Sequence, residues 1–169
     1  MKTSAMILGC LVLALPAFAA TPTSESSGLN SALNLSPSAR DFINEAASAD
    51  QFEILAGQIA QDKGDPSDKS FAEHIIRDHQ KSYSELREIA PNAPDSMDSK
   101  QKKMLDELGG LNGPAFTKQF RREQVKAHRE AISLFRRYSE KGDNEQLKSW
   151  AAKTLPELER HLRMADSLE

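Results

Sequence analysis

Four polar side chains stand where apolar ones belong. Glu53, His79, His128 and His161 each fall on a line of otherwise apolar residues spaced three and four apart, the pattern of a helix face turned toward a core. Three imidazoles and one carboxylate form a nitrogen–oxygen donor set of the kind that holds zinc, copper or iron. Together they would complete a four-coordinate site without water. Metal-bound imidazoles usually donate their second nitrogen to a carboxylate or carbonyl, and Asp78, Gln124 and Glu157 are the candidates for that outer role. Gln124 and Glu157 each precede a histidine by four residues, which places each on its histidine's helix face. His74 is left out: five residues before His79, it points about 140° away around the helix. The same four residues also suit a metal-free network in which Glu53 accepts hydrogen bonds from two histidines. Both readings stand at this stage.

A di-iron site of the ferritin kind needs Glu-x-x-His motifs. Here the residues three before the histidines are Phe71, Ile76, Val125 and Leu158, so a mononuclear site is expected. Thiolate chemistry is excluded. Cys10 is the sole cysteine, and it lies in a leader-like stretch. Lys2, the apolar run Met6 to Leu15 and the Ala17-Phe18-Ala19 motif read as a secretory signal over residues 1–19. Residues 20–35, rich in Ser, Thr, Asn and Gly, read as a flexible leader. The expected location is the periplasm or the medium, with no transmembrane segment in the mature chain. A net charge of −3 offers no reason to expect nucleic-acid binding, and no protein partner is legible.

Helices must carry these groups. The first pattern opens at Ser36-Pro37, read as N-cap and first turn, and runs to about Lys63 with Phe42, Ala46, Ala49, Glu53, Ala56 and Ala60 inward. Gly64-Asp65-Pro66 ends it and opens a second, to about Ala90, with Ala72, Ile75, His79, Ser82, Leu86 and Ile89 inward. Pro91 to Pro114 is a connection with one short helix, about Ser99 to Leu108. A third long helix runs from Pro114 to about Lys141. A fourth follows a cap at Asp143, with Pro156 expected to kink it. No stretch alternates as a strand does. The expectation is an all-α four-helix bundle over residues 36–169, its long crossover like that of ferritin-like folds.

Antiparallel pairing sets the levels. The midpoint of 53 and 79 falls in the Gly64-Asp65-Pro66 turn, and that of 128 and 161 falls beside Asp143-Asn144. Each pair is therefore level to within about one helical turn, 5.4 Å.

Phe42-Ile43, Ala46-Ala47, Glu53-Ile-Leu-Ala-Gly57, Phe71-Ala72, Asp78-His79, Phe116, His128 and Ala152-Lys-Thr-Leu-Pro156 with His161 resemble the bacterial family called domain of unknown function 4142, over about residues 36–165. The resemblance implies a secreted, ferritin-like bundle with Glu53, His79, His128 and His161 at matching positions, and it implies no reaction. Members are often labelled outer membrane proteins, a label that this sequence supports with neither barrel strands nor a lipid anchor. The expected function is an exported bundle binding one transition metal through one Glu and three His. A structural or interaction module of the cell envelope with a metal-free polar core is the alternative. A ferritin-like redox enzyme is the third reading.

Overall fold

Ser38 starts the first helix. Its side chain accepts the Asp41 backbone N–H at 3.2 Å, which satisfies one donor of the open first turn. The expected cap at Ser36 thus moves two residues on, and Pro37 precedes the helix rather than opening it. The computed structural model describes residues 35–168. The signal segment 1–19, Cys10 and nearly all of the 20–35 leader lie outside the described residues.

Five α-helices and no strand occur among the described residues: α1 (Ala39–Lys63), α2 (Pro66–Ile89), α3 (Ser99–Gly109), α4 (Gly113–Lys141) and α5 (Glu145–Asp166). Asp65 caps α2 with a reciprocal capping box to Asp68, and Pro66 fills the first turn. Gly113 begins α4 at φ +55°, a conformation that any side chain would strain. Asn144, not Asp143, caps α5, its Oδ1 accepting the Gln146 and Leu147 N–H groups at 3.0 Å. Asp143 instead accepts from the Tyr138 hydroxyl at 2.9 Å. Helix α5 continues through Pro156.

The chief interfaces are α1 with α2 and α4 with α5, and α1 also meets α4 while α2 meets α5. Two apolar clusters fill the interior. One holds Phe42, Leu86, Tyr138, Leu147 and Trp150, with Phe42 and Tyr138 stacked at 3.9 Å. The other holds Phe52, Phe71, Ile75, Phe116, Phe120 and Ala165. Helices α1 and α5 run from the first cluster to the second, and α2 and α4 run back. The link from α2 to α4 must therefore return along the molecule, and α3 makes that return against α1. Ser48 fastens it, accepting the Asp98 N–H at 2.8 Å and donating to the Gln101 side chain.

At the other end, Arg121 of α4 holds the α1–α2 turn. It donates to Asp68 at 2.8 Å and to Asp65 at 2.6 Å, and Thr117 donates to Asp68 at 3.0 Å. Asp68 is wholly buried, so these donors replace the water that its carboxylate has lost.

Candidate metal centre

The polar residues lie where each long helix passes between the two apolar clusters. On α2, His79 follows Ile75 and precedes Leu86. On α4, His128 lies between Val125 and Ile132. On α5, His161 lies between Leu158 and Ala165. Apolar packing above and below fixes the axial level of each helix and so brings the three imidazoles together. Their ring centroids are 5.3 to 5.7 Å apart, and one ring nitrogen from each lies within 4.8 Å of the others. All three are at most 4% exposed.

Each ring spends one nitrogen on an outer partner. His79 Nδ1 meets the Asp50 carboxylate at 2.8 Å. His128 Nδ1 donates to the Gln124 carbonyl at 2.8 Å, which leaves Nε2 of the neutral ring bare. His161 Nε2 donates to Asp78 at 3.1 Å. The other nitrogens, Nε2 of His79, Nε2 of His128 and Nδ1 of His161, are buried and have no hydrogen-bond partner. Buried polar atoms are rarely left so. Three on three different helices, all in one place, describe a site that could hold a metal ion.

The electrostatics separate the rings. Burial, with the charge of His79 next, holds His128 well below the usual imidazole range. The same two causes bring His161 down to about 4, against the opposing hydrogen bond from Asp78. For His79, burial is outweighed by the hydrogen bond and charge of Asp50, and its pKa is raised. Two of the rings are thus held neutral, the form that coordinates, while Asp50 favours the protonated form of His79.

Glu53 is buried beside this cluster but is not among the atoms that lie within 4.8 Å of one another. Neither of its oxygens has a hydrogen-bond partner, nor does either atom of the Gln124 side-chain amide. Burial pushes the Glu53 carboxyl up to about 7, against the charge of His79 and a long hydrogen-bonding approach of the Gln124 side chain. The structure therefore assembles three of the four expected ligands and sets the fourth to one side.

The outer roles are distributed differently from expectation. Gln124 serves His128 through its backbone carbonyl. Asp78 reaches across to His161 on α5 rather than serving its neighbour His79. Glu157 lies 3.6 Å from His161 Nε2 and belongs to a surface ion cluster in which Arg160 contacts both Asp78 and Glu157. Asp78, Glu157 and His161 form a second group of close ligand atoms, but its carboxylates are already taken up by Arg77 and Arg160. His74 stays outside, against Arg77.

Asp50 was not foreseen. The inward line through Ala46, Ala49 and Glu53 passes one residue short of it, yet Asp50 is buried and Ala49 only half so. Its signal was an acidic residue three before Glu53, hence on the same helix face.

The described residues thus define an all-α protein with a buried triple-histidine cluster. Residues 24–168 match the model of the family described as Domain of unknown function (DUF4142), and the chain belongs to that family. No curated protein and no solved structure matches it. No helix among the described residues is long and apolar enough to cross a membrane.

Proposed function

We propose that this protein binds one transition metal ion, zinc, copper or iron, through His79, His128 and His161 in the core of an exported, ferritin-like four-helix bundle. The observation that carries the reading is the set of leftover nitrogens: each ring is oriented by one hydrogen bond and keeps its other nitrogen buried and unpartnered, and the three rings bring ligand atoms within 4.8 Å of one another. Oriented imidazoles of this kind are the usual arrangement around a protein-bound metal. The helix directions and the long return through α3 favour ferritin-like connectivity. The Ala17-Phe18-Ala19 motif favours export to the periplasm or beyond. A bound ion would supply Lewis acidity or, for copper or iron, electron transfer. The chain supplies neutral donors, their fixed tautomers and exclusion of bulk water.

The test is a titration of zinc and of copper into the wild type, His128→Ala and His74→Ala. The wild type and His74→Ala should bind one ion and melt higher. A ligand bound only to the native state adds about 2.7 kcal/mol at 100 times its Kd. His128→Ala should lose both effects. Equal responses in wild type and His128→Ala would sink the core site and leave a structural module of the cell envelope with a metal-free polar core.

A further inference from the structure

Three protein donors leave a tetrahedral ion one ligand short, and a site with an open position is the catalytic rather than the structural kind. Two polar side chains beside the cluster are available to serve that position. Glu53 and Gln124 are buried beside the histidine cluster, and all four polar atoms of their side chains lack hydrogen-bond partners. A buried carboxylate without a partner is strongly disfavoured, and the Glu53 carboxylate lies outside the tight nitrogen cluster. A small polar ligand bound to the ion would give both side chains a partner.

We propose that the fourth coordination position is kept for a water-sized exogenous ligand, held between the ion and the side chains of Glu53 and Gln124. The inference rests on the metal reading above. At rest the ligand is water. The Glu53 carboxylate accepts one of its hydrogens, and the ion's charge favours the ionised form of Glu53. A small anion can take the same place, with the Gln124 amide donating to it. The site is closed to bulk solvent, since Glu53, Gln124 and the three histidines are each at most 4% exposed, which favours a ligand of few atoms.

The full chain loaded with cobalt(II) at about pH 7.5 and titrated with azide tests this. Azide should shift the visible absorption of the cobalt. Glu53→Gln should keep cobalt affinity within about threefold and tighten azide about tenfold, because an anionic neighbour is replaced by a neutral donor. Gln124→Leu should weaken azide about tenfold by removing a buried donor, again with cobalt retained. An unchanged spectrum on adding azide would overturn the open position. Loss of cobalt in Glu53→Gln as large as in His128→Ala would make Glu53 the fourth ligand and overturn the proposal. Equal azide affinity in wild type and both variants would remove Glu53 and Gln124 from the role. Failure of the wild type to take up cobalt is visible before azide is added, and it overturns the metal reading itself and this inference with it.

Discussion

The Asp50 carboxylate on α1 stands 2.8 Å from Nδ1 of His79 on α2, with both side chains about 5% exposed. This contact crosses the α1–α2 interface and fixes which nitrogen of His79 faces the cluster. Burial raises the Asp50 pKa, against the hydrogen bond and charge of His79.

If Asp50 orients His79, Asp50→Asn should weaken metal binding by roughly 10-fold and Asp50→Ala by up to about 100-fold, the range typical of such outer partners. Titration of zinc into each variant measures it. Affinity equal to wild type in both variants would show that His79 is oriented by packing alone.

Glu53 should make the metal-free protein less stable as pH rises. Its folded pKa of about 7 lies above the ordinary 4.5, so the folded state retains a proton that the unfolded state gives up across that window. The penalty is absent below about pH 4.5 and complete above about pH 7, where it reaches about 3 kcal/mol. Glu53→Gln removes it. Urea midpoints in chelator at about pH 4.5 and 8 should nearly coincide for the two proteins at the lower pH and separate at the higher. The lowered pKa of His161, about 4, acts the other way, since stability is lost as pH falls from the ordinary 6.5 toward 4. It is common to both proteins and drops out of their difference.

Arg121→Met should destabilise by about 3–5 kcal/mol, because it leaves the wholly buried Asp68 with only Thr117 as a side-chain donor. Adding Asp68→Asn should restore much of that loss. Denaturant unfolding of the single and double variants distinguishes this from a simple loss of packing, which the second substitution would not recover.

Gly57 marks a close approach of α1 and α2. A Cβ there would meet Ile76 Cγ1 at 2.8 Å. Gly57→Ala should destabilise, since overpacking of about 1–3 kcal/mol exceeds the helix-propensity gain of about 1 kcal/mol. In an Ile76→Ala background the same change should stabilise by about 1 kcal/mol. The double-mutant cycle reads the sign reversal directly.

The helices and their polar intruders were legible because both are local properties. Spacing by three and four identifies a helix face, so His79, His128 and His161 could be placed inward without knowing what they faced. Gly64-Asp65-Pro66 likewise announced its turn through capping chemistry that involves only neighbours in the chain. The caps at Ser36 and Asp143 were misplaced because Ser38 and Asn144 are chemically equivalent choices one or two residues away, and only backbone geometry selects between them. Tertiary structure alone decided that Asp78 serves His161 across an interface, that Asp50 holds His79, and that Glu53 stands beside the cluster rather than in it. Helical period gives direction around an axis to within tens of degrees. A metal ligand is defined to within tenths of an ångström, and that precision comes from how apolar clusters above and below the polar layer set the height and rotation of each helix.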